Sequence, residues 1–248
     1  MLKKDRGVFA APDAIHIQSI CTDMRDWVTD LFYIYNLTCQ ILNGFYKEKG
    51  RPDSGLFPIP IDDIVTWLGF KLEYTDLNRY RDRMISLILG KVDAESRVIY
   101  IDNGIGVSVS QQRYAMAHEL GHVYLQECSE SASAKCSESR IPSSKYEILA
   151  DVFAAFLMLP PEETFEYICK YIVINQKRPI DHEKMMLELS GIARFPFLRT
   201  VTSYEYLRIV ACYERNEREK ILPDLKKRYG IDDSDWLPRP IAAGVLYG

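Results

Sequence analysis

His118 and His122 stand four residues apart in the stretch RYAMAHELGHVYLQ (113–126), with Glu119 between them. On a helix, four residues rise about one turn and differ in direction by about 40°, so the two imidazoles share a face. Two imidazole nitrogens converging there are a ligand pair for one small cation. Glu119 is offset by one residue and does not fit the same ion alongside both histidines. Its carboxylate can reach a water activated by that ion. This is the physical content of a His-Glu-x-x-His pattern: two metal ligands and a general base. The chain has only four histidines, so two at this spacing beside a glutamate carry weight. Gly121 has no side chain, which lets a second segment come close.

A tetrahedral site that keeps one position for water needs a third protein ligand. The stretch YEILADVFAAFLML (146–159) is apolar almost all round, which marks a buried helix. Its charged residues are Glu147 and Asp151, again four apart. A buried carboxylate without a partner is strongly unfavourable. Glu147 fits as the third ligand. Asp151 fits as an acceptor that holds a ligand imidazole through its other ring nitrogen. The competing reading pairs both carboxylates with an arginine such as Arg113. Ala150, Ala154 and Ala155 leave room for close packing of the two helices.

Other elements must position these two. Residues 15–46 read as one or two amphipathic helices, with Ile20, Met24, Trp27, Leu31, Ile34, Thr38 and Ile41 at three- and four-residue steps. That stripe reads as core; a ligand-binding set of Trp27, Phe32, Tyr33 and Tyr35 is the alternative. GRPDSGLFPIP (50–60) is a loop. IDDIVTWLG predicts a short helix, with Asp62 or Asp63 in its first turn and Gly69 as its stop. FKLEYTDL, RMISLIL and RVIYID predict three strands of a small, mostly antiparallel sheet, the last two joined by GKVDAES. Ser108 or Ser110 caps the histidine helix. The serine-rich stretch 128–145 is a loop, either a lid over the cleft or a plain connector. Pro160-Pro161 stops the second helix, and helices continue to about residue 230. ERNEREK (214–220) reads as an exposed face. The division is an N-terminal helical segment (1–55), a core (56–161) and a mainly helical C-terminal region (162–248).

The 248 residues are 47% hydrophobic and 12% aromatic, a folded composition, with a net charge of −4. A surface made to coat nucleic acid is usually basic, so no direct nucleic-acid binding is expected. No apolar run is long enough to span a bilayer, and no export signal is read in the first residues. The six cysteines, without a CxxC pair, read as reduced thiols. These features predict a soluble protein of the cytoplasm. Gly104 and Gly106 in DNGIGVSV lack a third glycine in register, which argues against a nucleotide loop.

RYAMAHELGH followed by EILADVFAAFLMLP resembles the ImmA/IrrE-type metallopeptidases, and IPIDDIVTWLGFKLEY and RVIYIDNG are similar to that family's leading helix and strands. The resemblance covers about residues 56–161. It implies an α+β, zincin-like core with extra N- and C-terminal helices. It also implies one Zn²⁺ on His118, His122 and Glu147, in a gluzincin-like set with Glu119 as base. It implies a protein substrate, a helix-turn-helix repressor of a mobile-element or stress-response system. The chain departs from the family at Phe156, where members often carry Glu. The extended substrate is expected beside an edge strand, RVIYID, with Tyr114, Tyr146, His182 and Tyr204 as candidates to stabilise an oxyanion. An alternative keeps the metal without the chemistry: a zinc-stabilised regulator that binds and displaces a repressor.

Overall fold

Apolar residues recurring from Trp27 to Phe45 wind into one continuous helix, α1 (Met24–Lys49), in the computed structural model. The structure describes residues 24–52, 55, 57–77, 88–126, 144–175, 181–210, 223 and 227. Ile20, most of the serine-rich stretch and the ERNEREK segment lie outside them. Trp27, Phe32 and Tyr35 are buried and Tyr33 is half-buried against the same core, so the stripe packs rather than presents a ligand face. Gly50 ends the helix in the left-handed region at φ 83°, its N–H bonded to the Tyr46 carbonyl at 3.0 Å. Helix α2 (Ile61–Trp67) carries Asp62 and Asp63 in its first turn and stops at Gly69, φ 84°.

Three strands follow: β1 (Lys71–Thr75), β2 (Gly90–Asp93) and β3 (Val98–Asp102), in the order β1–β3–β2. The β2–β3 pair is antiparallel, but β1 and β3 are parallel, with Leu72 opposite Ile99. The sheet is therefore mixed. The chain runs up, down and up again, and β3 inserts between its predecessors. It takes the middle place because it is the apolar strand: Val98, Ile99, Ile101 and Asp102 are buried, whereas no residue of β1 or β2 is. The hairpin strand also starts later than the sequence predicts. Ile88 and Leu89 of RMISLIL precede β2, residues 83–87 lie outside the described residues, and GKVD, read as a connection, is the strand itself. Arg97 closes the turn in the left-handed region at φ 53° and donates to the Leu68 carbonyl at 2.7 Å.

The histidine helix, α3 (Val109–Gln126), packs against β2 and β3 on one side and α4 (Ser144–Met158) on the other. Ser108 caps α3 reciprocally: its Oγ accepts the Gln111 N–H at 3.2 Å, and Gln111 Oε1 accepts the Ser108 N–H at 2.8 Å. From Leu149 to Pro161 every residue is buried except Asp151. Pro160-Pro161 ends α4 as expected, and Pro161 also opens α5 (Pro161–Ile174), where a missing N–H is harmless. Helices α6 (His182–Ala193) and α7 (197–210) complete the described chain.

One hydrophobic cluster joins all of these helices to the sheet, giving an α+β architecture. Phe156 on α4 explains its own departure from the family pattern. Its ring lies 5.8 Å from Tyr35 of α1 and 6.5 Å from Tyr206 of α7, so the added helices cover a position where a glutamate would need water. Among the described residues no helix is long and apolar enough to cross a membrane. Cys39 and Cys169 are thiols.

Candidate metal centre

The two buried helices approach closely at Gly121. A Cβ there would lie 3.0 Å from Ala150 Cα, 3.1 Å from Phe153 Cβ and 3.2 Å from the Ala150 carbonyl oxygen. This contact sits one residue before His122 and three after Glu147, so it sets the spacing of groups on the two helices. His118, His122 and Glu147 each offer a ligand atom, all within 4.8 Å of one another. His122 Nε2 is 3.0 Å from His118 Nε2. Glu147 places Oε2 at 3.2 Å from His118 Nε2 and Oε1 at 3.4 Å from His122 Nε2.

These distances match the face of a tetrahedron. Ligand bonds of about 2.0–2.1 Å around a tetrahedral ion put donor atoms about 3.3–3.4 Å apart. Two nitrogens and a carboxylate are also the donor types that suit a borderline divalent cation. The residues therefore fit a metal ion.

The electrostatics favour positive charge between the helices. Burial opposes a charge on His118, but its hydrogen bonds to Asp151 and Glu147 outweigh that and hold its pKa up at about 9. Hydrogen bonds to His118 and His122 hold the Glu147 carboxyl far below the usual carboxylate range, against burial. A pocket that stabilises a proton on imidazole also suits a cation on the same nitrogen, and the two compete.

Asp151 lies behind His118. Its Oδ1 is 2.9 Å from His118 Nδ1 and accepts the Tyr114 hydroxyl, which itself lies 3.2 Å from that nitrogen. Its Oδ2 accepts from Arg199 Nη1 of α7. Burial works against the Asp151 charge, but His118 and Arg199 keep its pKa low. With Nδ1–H donated to Asp151, the His118 Nε2 lone pair faces His122 and Glu147. Arg113, the arginine considered from sequence, goes elsewhere: it donates to the Ile59 carbonyl and lies 3.9 Å from Asp62.

Glu119 is buried on the sheet side of α3 and accepts the Val92 backbone N–H of β2. The ladder explains that bond. Asp102 N donates to Leu89 O at 2.9 Å, so by antiparallel alternation Leu89, Lys91 and Asp93 bond to β3 while Gly90 and Val92 point outward. Burial raises the Glu119 pKa, against the pull of the His118 and His122 charges. Gly90 makes room for this side chain, since a Cβ there would lie 2.9 Å from Glu119 Cγ and 3.1 Å from its Oε1.

Of the oxyanion candidates, Tyr114 is committed to Asp151, on the far side of His118 from its Nε2. His182 is exposed at the start of α6, Tyr204 packs near Arg208 at 6.0 Å, and Tyr146 is half-buried beside Glu147. Sequence reasoning missed Arg199 and Gly90. Arg199 sits in an unremarkable helical stretch. Gly90 left a signal, because a glycine inside a strand often marks a close approach.

Residues 64–177 match the family model Peptidase_M78, described as the IrrE N-terminal-like domain. No curated protein matches the chain. The matched segment contains the sheet and both helices of the His-His-Glu cluster, and its architecture is the α+β, zincin-like one. Residues 64–177 are therefore similar to the IrrE N-terminal-like domain, the segment that carries the resemblance to ImmA/IrrE-type metallopeptidases.

Proposed function

We propose that the chain is a zinc-dependent endopeptidase of the cytoplasm that cleaves a regulatory protein, a helix-turn-helix repressor of a mobile-element or stress-response system. The observation that carries the chemistry is the buried Glu119 carboxylate beside two imidazoles that converge on Glu147. The substrate class rests on the family resemblance. His118, His122 and Glu147 would hold the ion. When bound, zinc supplies a Lewis acid that polarises a carbonyl and makes water acidic near neutral pH.

The chain's own groups do the rest. A Glu119 carboxylate oxygen takes the proton of the attacking water and passes it to the leaving amine nitrogen. Burial, which raises the pKa of this carboxyl, makes it a better proton acceptor than an exposed one. The Val92 N–H holds the carboxylate in place. Asp151 keeps His118 in the tautomer that turns Nε2 toward the ligand cluster.

The substrate cannot pair with RVIYID as expected, because β3 is the middle strand and is bonded on both sides. The strand beside Glu119 is β2, which among the described residues pairs only with β3. An extended peptide along its outer edge would place its backbone next to the base. Gly90→Val is therefore expected to displace Glu119 and lower kcat by about 100-fold, within the range for losing a general base, with metal content and KM little changed. Steady-state kinetics with metal analysis checks this; wild-type kcat would remove Gly90 from the account.

The decisive experiment incubates the zinc-loaded chain with a repressor encoded beside it and maps products by mass spectrometry. Cleavage at a defined bond is expected, abolished by a chelator and in Glu119→Gln. A repressor released from DNA intact, by wild type and Glu119→Ala alike, would overturn the endopeptidase reading in favour of simple displacement.

A further inference from the structure

We infer that Arg199, on a helix outside the family-matched segment, is a positioning residue of the metal centre, acting through Asp151 on His118. The inference rests on reading His118, His122 and Glu147 as metal ligands.

A carboxylate can rotate about its Cβ–Cγ bond, so one hydrogen bond does not fix it. Asp151 is held at both oxygens. The Arg199 guanidinium takes Oδ2, and this leaves Oδ1 turned toward His118 Nδ1 at 2.9 Å and the Tyr114 hydroxyl. The same guanidinium lies over the Tyr114 ring, its Cζ 4.8 Å from the centroid. One side chain thus pins the acceptor and also packs against the second donor to that acceptor. A planar guanidinium suits this double task, because it both donates from its edge and stacks with its face.

The half-buried Arg199 side chain is carried by a helix that the core holds in place. Helix α7 is seated by buried Tyr206, Leu207 and Val210, with Tyr206 6.3 Å from Trp27 and 6.5 Å from Phe156. The turn before it packs Phe195 6.0 Å from Tyr114. Seating of α7 and orientation of His118 are therefore one structural event. Anything that lifts α7 weakens the metal site, and by reciprocity a bound metal tightens the seating of α7.

The test measures Zn²⁺ affinity by chelator competition and the visible spectrum of the Co²⁺-loaded protein. Arg199→Met is expected to weaken Zn²⁺ binding about 10–100-fold, the usual cost of losing a partner behind a ligand histidine, and to alter the Co²⁺ bands. Arg199→Lys should recover part of the affinity, since it restores charge but not the fork. In an Asp151→Asn background Arg199→Met should add less than about 2-fold, because the path runs through that carboxylate. Arg208→Met, which breaks a pair with Glu205 on the same helix (3.0 Å), should leave affinity unchanged and separates this effect from general loosening of α7. Wild-type affinity and spectrum in Arg199→Met, or an undiminished effect in Asp151→Asn, would overturn the role of Arg199. A wild-type chain that takes up neither ion would overturn the metal reading itself.

Discussion

Glu119→Gln is expected to keep its metal and its fold and to lose peptide hydrolysis by about 100- to 10,000-fold, the range that positioned proton transfer contributes. The substitution is nearly isosteric. A glutamine oxygen can still accept the Val92 N–H, and the cavity bounded by Gly90 and Ala115 need not change. What disappears is a basic oxygen for the proton of water. The ligands His118, His122 and Glu147 are untouched, so metal content should stay at the wild-type level. Stability should not fall. A carboxyl whose pKa is raised by folding loses stability as pH rises through its unfolded value toward its folded one, so at neutral pH a neutral amide relieves a cost. Turnover, metal stoichiometry and Tm measured together check this. Turnover within tenfold of wild type, with full metal, would remove Glu119 as the base.

Gly121→Val is expected to separate the two helices that carry the His-His-Glu cluster. An added Cβ meets Ala150 Cα at 3.0 Å and the Ala150 carbonyl at 3.2 Å. These are backbone atoms of a helix buried from Leu149 onward, so they cannot swing away as the end of a side chain would. Replacing a helical glycine gains roughly 1 kcal/mol of backbone propensity with alanine and less with a β-branched residue. Overpacking costs about 1–3 kcal/mol for modest additions. For alanine the two terms nearly cancel. For valine, whose two further methyls enter the same contact, the clash wins and a net loss of about 3 kcal/mol is expected. Metal affinity should fall as well, because the contact lies between His122 and Glu147, whose ligand atoms stand 3.4 Å apart. Urea unfolding and chelator competition read the two effects. A wild-type unfolding midpoint would show that the helices have slack at this point.

Much of the site is legible in sequence because it is built from local spacing. His118, His122, Glu147 and Asp151 occupy two helices at four-residue steps, and the 3.6-residue period puts each pair on one face. Stops such as Gly69 and Gly50 are equally local. Less legible is whatever depends on which element lies beside which. β2 is a short stretch, GKVD, whose glycine and aspartate are poor strand formers. It is a strand because β3 pairs with it, and its glycine is there for Glu119. The parallel pairing of β1 with β3 follows from burial of β3 between two exposed edges, and sequence order alone suggested a simple hairpin succession. Arg199 is 48 residues from Asp151, and its role follows from the seating of α7.

Phe156, wedged between Tyr35 and Tyr206, bears on how such a module can be moved between proteins. The matched segment is not here a self-contained cassette. Excised at residues 64–177, it would leave a bare aromatic face where α1 and α7 now sit, and it would lose the guanidinium behind Asp151. In this chain the unit that could be transferred intact extends beyond the two helices of the His-His-Glu cluster to include their flanks. Fusions, truncations and domain grafts that respect only the family boundaries would cut through its core.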